Sequence, residues 1–264
     1  MLSGKTVIIT GGAGGIGEAI ARTAYREGAN VVIGDVRLDA AQAVVDSLGE
    51  KAIAVLCDVR NDSDLERLVE TAEQHFGRID GLVNNAGINW VKPFLDTTPE
   101  EWQLVIDTDL RSTFFLTQRV CRVFLRQNPS TGSIVNIASV HAVAGYPCAA
   151  PYDAAKAGVV GMTRSLAVEL GGYGIRINAL SPGLVETQIY QDILAASPDR
   201  EANIAHWHSN IPLQRGIQPS EIAECAVFLL SERGSAITGA NLLADAGMTA
   251  QLVSKEPDSC RNRS

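Results

Sequence analysis

The size and charge of the chain limit the classes of protein to which it can belong: its 264 residues are 46% apolar and 20% charged, which is typical of a globular protein with a sizeable core. The net charge of −8 is unfavourable for binding nucleic acid or anionic lipid, so we expect neither nucleic acid nor a membrane as a partner. The N-terminal residues lack the pattern of a signal peptide and no apolar run has the length of a membrane span, which predicts a cytoplasmic protein.

Short runs rich in β-branched residues alternate with longer amphipathic segments. Leu65, Leu68 and Val69, for example, recur with the spacing of one helix face. In chain order, the predicted elements are a strand at 7–10, a helix at 18–27, a strand at 31–35, a helix at 38–48, a strand at 52–57, a helix at 65–76, a strand at 81–84, a helix at 100–126, a strand at 132–137, a helix at 152–170, a strand at 175–180, a helix at 220–230 and a strand at 241–244.

The regular alternation of strand and helix predicts the architecture. Continuous apolar strands between helices are typical of a parallel sheet that is covered on both faces. We therefore predict an α/β fold: a single-domain, doubly wound parallel sheet of the Rossmann type, spanning residues 1–250. Residues 184–216 are predicted to be a long irregular loop on the substrate side, and residues 251–264 a polar C-terminal tail.

A glycine-rich turn follows the first predicted strand, with the sequence T-G-G-A-G-G-I-G over residues 10–17. Glycines allow a tight turn and a close approach of the backbone to a pyrophosphate, and the helix that follows directs its free N–H groups at the phosphates. Because the turn lies between a strand and a helix, the pattern indicates a dinucleotide site; the alternative is a turn that is glycine-rich for steric reasons alone.

Asp35 ends the second predicted strand, where a carboxylate can accept hydrogen bonds from the adenine ribose hydroxyls and repel a 2′-phosphate. This position favours NAD over NADP. Arg37 lies two residues further on and could weaken the preference. The alternative for Asp35 is a solvated turn residue.

Tyr152 and Lys156 are spaced so that their side chains share one face of a predicted helix. A free tyrosine has a pKa of about 10 and is a poor base near neutral pH. A nearby ammonium group stabilises the phenolate and lowers that pKa, which makes general acid–base catalysis more efficient. Ser139 follows the fifth predicted strand and could bind the substrate oxygen. The alternative is that this Y-x-x-x-K spacing is structural.

These motifs, together with Asp58-Val59, the N-N-A-G run at residues 84–87 and the N-x-x-x-P-G segment at residues 178–183, occur in an order that resembles the short-chain dehydrogenase/reductase family. The resemblance extends from Leu2 to about Gly247. Residues 198–200 and 211–215 resemble the branch that contains L-fucose and hydroxysteroid dehydrogenases, whose relatives oxidise other sugars and polyols.

The resemblance implies a role for individual residues. Ser139, Tyr152, Lys156 and Asp109 occupy the catalytic positions, and Ser139, His141, Trp90 and Tyr152 those facing the substrate. The implied contacts to NAD are Gly11, Gly15, Ile16, Gly17, Asp35, Asp58, Val59, Asn85, Ala86, Gly87, Tyr152, Lys156, Pro182, Gly183, Val185 and Thr187.

Asp109 is a departure from the family pattern, which usually has Asn at this position. The family's Asn helps to hold a water that links the lysine to solvent. Asp109 could replace it, or its charge could change the pKa of Lys156 or slow the proton relay. Residues 245–247 also depart from the usual D-G-G, with no expected effect on catalysis.

The remaining polar residues leave several alternatives open. His141 could orient a substrate oxygen or be an ordinary hydrogen-bonded histidine, and Trp90 could line a pocket or simply pack. His206 and His208 lack an evident third ligand, so no metal is expected. The five cysteines are odd in number and widely spaced, which predicts reduced thiols.

The sequence thus predicts an NAD-dependent oxidoreductase that transfers a hydride between NAD(H) and a small-molecule secondary alcohol or ketone such as a sugar, polyol or steroid. The resemblance also implies a homo-oligomer, a tetramer or a dimer, that associates through the helices at 100–126 and 152–170. One alternative is an isomerase or dehydratase that retains NAD. Another is a non-catalytic dinucleotide-sensing protein, although the presence of Tyr152 and Lys156 argues against it.

Overall fold

The computed structural model describes residues 1–251. Its strands are all parallel and form one sheet, in which the chain runs outward from the centre in both directions. The strands are β1 (Thr6–Thr10), β2 (Asn30–Asp35), β3 (Ala52–Leu56), β4 (Gly81–Asn84), β5 (Gly132–Ile137), β6 (Ile175–Pro182) and β7 (Asn241–Ala244). Their order across the sheet is β3-β2-β1-β4-β5-β6-β7.

Helices connect the strands and cover the sheet. They are α1 (Gly15–Arg26), α2 (Leu38–Leu48), α3 (Asp62–Phe76), α4 (Pro99–Ile106), α5 (Ser112–Arg126), α6 (Ala150–Leu170), α7 (Gln188–Ala195), α8 (Arg200–Ser209) and α9 (Pro219–Leu230). None of the helices within residues 1–251 has both the length and the apolar character needed to cross a bilayer.

Successive strand residues point to opposite faces of the sheet and build two separate cores. Val7 and Ile9 of β1 pack with Ile20 of α1 and with residues of α2 and α9 on one face. Ile8, between them in sequence, packs with Leu65 of α3 and with residues of α5 on the other. The predicted doubly wound Rossmann-type sheet with helices on both faces is thereby confirmed.

The strand order places a crevice at the middle of the sheet. The chain leaves β1 toward β2 and β3 on one side, and β4 begins the second half on the other. In open parallel sheets, ligands bind at the carboxyl ends of the strands where the direction of winding reverses. The residues that follow β1 and β4 therefore lie where a ligand is expected.

Part of the predicted substrate-side loop is helical in the structure. Residues 184–216 are not an irregular loop throughout, because they contain α7 and α8. The sequence of α8 shows little apolar periodicity, because the helix contains no buried residue. Its N-terminus is capped by the Asp199 side chain, which accepts a hydrogen bond from Ala202 N at 2.9 Å. The predicted tail lies outside the described residues except for Gln251.

The predicted helix at 100–126 is interrupted by a π-helical turn at Asp107–Arg111. Hydroxyl groups in and next to this turn donate to carbonyl oxygens four residues earlier: Thr108 Oγ1 to Leu104 O at 2.7 Å and Thr113 Oγ1 to Asp109 O at 3.1 Å. Such bonds bend helices, and π turns are frequent at functional sites.

Candidate active site

The glycine-rich turn after β1 is tight enough to require glycine. Gly11 has a φ of 65°, in the left-handed region. A Cβ on Gly17 would lie 2.2 Å from Gly11 O, so any side chain there would displace the backbone. Because α1 begins at Gly15, the N–H groups of its first turn, which includes Ile16, are available to an anionic group beside this turn.

The segment after β4 is fastened to the glycine turn. Thr10 Oγ1 accepts hydrogen bonds from Asn85 N at 3.0 Å and Ala86 N at 3.1 Å. The Asn85 amide donates in return to Thr10 O at 2.9 Å and Gly11 O at 3.0 Å. The N-N-A-G run and the glycine turn therefore form one rigid edge of the crevice.

Two carboxylates lie at or just beyond the ends of the neighbouring strands β2 and β3, at the same edge of the sheet. Asp35 is buried, and it accepts from Ala13 N at 3.0 Å and from Arg37 N at 2.9 Å, so its position relative to the glycine turn is fixed. Asp58 follows β3 beside the buried Val59, and its hydrogen bond to the Arg60 side chain lowers the pKa of the Asp58 carboxyl.

Residues after β6 close the crevice on its other side. Gly183 packs so tightly that a Cβ would lie 2.9 Å from Asp245 Cα, and Val185 forms a bridge with Ile217. Thr187 immediately precedes α7, and its methyl carbon would lie 3.4 Å from a Cβ on Gly15. The segment from Pro182 to Thr187 is thus brought from β6 to the glycine turn.

Tyr152 and Lys156 lie on α6 beside the end of β5. The Lys156 ammonium is 5.4 Å from the centroid of the Tyr152 ring and donates to Ile137 O at 3.2 Å. Ser139 lies two residues beyond Ile137 and is buried, and its hydroxyl oxygen accepts from His141 N at 3.2 Å. The end of β5 therefore brings the serine and the lysine to one place.

Asp109 reaches Lys156 from the π turn. Its Oδ2 is 3.1 Å from Lys156 Nζ, and its Oδ1 accepts from Ile88 N at 2.9 Å. Both side chains are almost fully buried. Burial by itself lowers the pKa of Lys156, but the Asp109 carboxylate and Tyr152 outweigh it, so the net effect is a raised pKa. Lys156 is therefore held in its charged form.

The substrate-side residues predicted from the sequence have different surroundings. His141 Nδ1 is 2.5 Å from Asp153 Oδ1, and its ring meets that of Tyr152 edge to face with centroids 5.1 Å apart. Trp90 is partly buried, and its Nε1 has no hydrogen-bond partner among the described residues.

His206 and His208 lie two positions apart on α8, so they point in different directions. Within residues 1–251, no three His, Cys, Asp or Glu side chains form a metal-binding group.

Asp153 is the residue that sequence reasoning missed. It directly follows Tyr152, and no spacing rule connects it with His141, because the two meet only when the loop after β5 folds back on α6. The π turn around Asp109 was also missed, since its hydroxyl pattern does not interrupt the apolar periodicity.

Comparisons with known proteins agree with this geometry. Residues 11–249 match the family model described as enoyl-(acyl carrier protein) reductase. The 2,5-dichloro-2,5-cyclohexadiene-1,4-diol dehydrogenase of Sphingobium indicum is 39% identical over 251 residues, which cover 94% of this chain and 98% of that protein.

Solved structures are similar over the same span. Levodione reductase has a TM-score of 0.90 at 32% identity, covering 95% of this chain and 99% of that one. The 3-ketoacyl-(acyl-carrier-protein) reductase of Brucella melitensis, complexed with NADH, has a TM-score of 0.85 at 32% identity. The match covers 94% of this chain and 100% of that one. These matches confirm the resemblance seen in the sequence: the chain belongs to the short-chain dehydrogenase/reductase family and is an oxidoreductase of the dehydrogenase or reductase type.

Proposed function

We propose that the protein oxidises a secondary alcohol, or reduces the corresponding ketone, with NAD(H) and with Tyr152 as the general acid–base. The observation that carries this proposal is the position of Tyr152. Its phenol lies beside a buried ammonium group and near the end of β5, at the same edge of the sheet as the glycine turn.

The residues present fit a nicotinamide dinucleotide. The glycine turn leaves backbone N–H groups free beside a surface with no side chain, which suits a pyrophosphate. Asp35 at the end of β2 suits the hydroxyls of the adenine ribose, and Lys156 would hold the nicotinamide ribose. When bound, the dinucleotide supplies the hydride acceptor or donor.

Residues of the chain bind the substrate oxygen and transfer its proton. In the oxidative direction, Ser139 donates a hydrogen bond to the substrate oxygen and Tyr152 removes the hydroxyl proton. In the reductive direction, Tyr152 returns that proton. Lys156 stabilises the phenolate, and Asp109 holds Lys156 charged and in place.

Replacing Asp35 with alanine should narrow the difference between NADH and NADPH affinity by about tenfold, because one charged hydrogen-bond acceptor is lost together with its repulsion of a 2′-phosphate. Fluorescence titration of both cofactors measures the two Kd values. Asp39→Ala is the matched control, since Asp39 is an exposed residue of α2. If Asp35→Ala kept the wild-type ratio of NADH to NADPH affinity, Asp35 would have no role in recognising the adenine ribose.

Replacing Asp109 with asparagine should move the pH profile of alcohol oxidation downward by about one unit. The Asp109 carboxylate raises the pKa of Lys156. Without it the Lys156 ammonium, which stabilises the phenolate, loses its proton at lower pH, so the alkaline decline of kcat/KM begins at lower pH. Asp107→Asn is the control, because Asp107 lies in the same turn but its carboxylate accepts a hydrogen bond from the Gln103 side chain at 2.9 Å rather than pairing with Lys156. A profile that does not move, or that moves upward, contradicts this role.

The proposed activity is tested by incubating the protein with NAD⁺ and a panel of sugars, polyols, steroids and simple secondary alcohols, and following NADH absorbance. Formation of NADH with at least one secondary alcohol, and slower formation of NADPH from NADP⁺, is expected. Tight retention of NAD with conversion of substrate but no net NADH would contradict the proposal and favour an isomerase or dehydratase.

A homo-oligomer is part of the proposal, because apolar side chains are exposed on the predicted contact helices. Phe114 and Leu125 of α5 and Val168 of α6 are among the exposed large hydrophobic residues. Light scattering should give the mass of a dimer or tetramer. The cytoplasmic location and the likeness to L-fucose and hydroxysteroid dehydrogenases stay predictions.

A further inference from the structure

We infer that His141, held by Asp153, binds a second oxygen of the substrate, on the carbon next to the one that reacts. The preferred substrates would then be vicinal diols and the corresponding hydroxyketones. This inference deepens the proposed function and rests on it, because it assigns the substrate class of the same site.

The pairing of His141 with Asp153 orients the imidazole. The Nδ1 to Oδ1 distance is 2.5 Å, which is close enough for a hydrogen bond between the ring and the carboxylate. The carboxylate can only accept, so Nδ1 carries a proton. In the neutral ring, Nε2 is consequently a hydrogen-bond acceptor, and its position is set by the carboxylate on the opposite side of the ring.

The Nε2 atom is available to a ligand. Among the described residues no hydrogen bond to it is formed, and it is not among the buried polar atoms that lack a partner, so it is reached by solvent. The ring lies edge to face against Tyr152 with centroids 5.1 Å apart. The imidazole thus lies beside the phenol, and a substrate whose reacting oxygen contacts Tyr152 would present the oxygen on its neighbouring carbon to His141.

Asp153 fixes this geometry relative to the catalytic tyrosine. It is the next residue on α6, and its second carboxylate oxygen accepts from Tyr146 N at 3.2 Å in the loop after β5. The backbone N–H of His141 is in turn bonded to Ser139 Oγ at 3.2 Å. The histidine is thus attached at both ends to elements that carry catalytic groups, which makes Asp153 a positioning residue.

The competing explanation is that the hydrogen bond between His141 and Asp153 only anchors the loop between β5 and α6. In that case its loss would affect all substrates equally. A second-oxygen contact affects only substrates that have the second oxygen, since a polar group built to bind a hydroxyl discriminates against an analogue that lacks it.

The experiment compares kcat/KM for vicinal cyclohexanediol and for cyclohexanol, with NAD⁺, in the wild type and in three variants. His141→Phe keeps an aromatic ring against Tyr152 but removes both nitrogens. His141→Gln keeps a polar group, and Asp153→Asn removes the charge that orients the ring. His75→Phe is the matched control, because His75 is an exposed residue in the last turn of α3.

We expect the wild type to prefer the diol, and His141→Phe to lower the ratio of diol to mono-alcohol kcat/KM by about tenfold, through KM more than kcat. Asp153→Asn should lower the ratio by a smaller factor, and His141→Gln should restore part of it. His75→Phe should leave it unchanged. A wild type without diol preference, or a ratio unchanged in His141→Phe, overturns the inference while leaving dehydrogenase activity established.

Failure of the proposed function gives a different result: no NADH from either alcohol in the wild type. The affinity of each alcohol for the complex of the protein with NADH, measured by NADH fluorescence, then decides the inference by itself. Tighter binding of the diol in the wild type but not in His141→Phe supports it, and equal binding of the two alcohols overturns it.

Discussion

Replacing Tyr152 with phenylalanine should lower kcat by roughly a thousandfold, the range expected for loss of a general acid–base. The substitution removes only the phenolic oxygen and keeps the ring, so the edge-to-face contact with His141 and the position of Lys156 are retained. Stopped-flow or extended steady-state assays with the best substrate from the panel measure kcat, and fluorescence titration measures the Kd for NADH.

The two measurements together separate chemistry from binding. The Kd for NADH should change little, because Lys156 and the glycine turn are intact in the variant. Tyr173→Phe, in an exposed turn after α6, is the matched control and should retain wild-type turnover. A Tyr152→Phe variant with a near-normal rate would remove Tyr152 from the mechanism, whatever its effect on NADH affinity.

Replacing Gly17 with alanine should weaken NADH binding about a hundredfold and destabilise the fold by about 3 kcal/mol. The added Cβ would lie 2.2 Å from Gly11 O and 2.5 Å from Asn85 Nδ2. The first of these is backbone, so the turn or α1 must move. The same movement breaks the bond between the Asn85 amide and Gly11 O, which fastens the two edges of the crevice together.

Titration with NADH and thermal unfolding, each followed by fluorescence, test this prediction. Gly172→Ala is the control, since that glycine is exposed and a Cβ there meets nothing within 4 Å. Wild-type NADH affinity in a Gly17→Ala protein would mean that the turn can relax without loss of its function. The close approach of α1 to the turn would then not be the reason for glycine at position 17.

The elements whose limits were predicted correctly are those that local sequence alone defines. The strands at 81–84, 132–137 and 241–244 have the predicted limits, because each is a short apolar run bounded by turn residues. The helix predicted at 100–126 was wrong in its interior, since hydroxyl bonds within one turn changed the backbone without changing the apolar period. The loop at 184–216 was wrong because two short helices with few buried residues carry little periodic signal.

The amino-acid sequence by itself determined the fold class, the family, the glycine turn and the pairing of Tyr152 with Lys156 on one helix face. Each of these depends on spacing within one segment or on the order of segments, and both can be read directly from the chain. Only the tertiary structure decided that Asp109 forms an ion pair with Lys156 and that Asp153 holds His141. Those contacts join separate segments, and they form only where sheet order and helix register bring the side chains together.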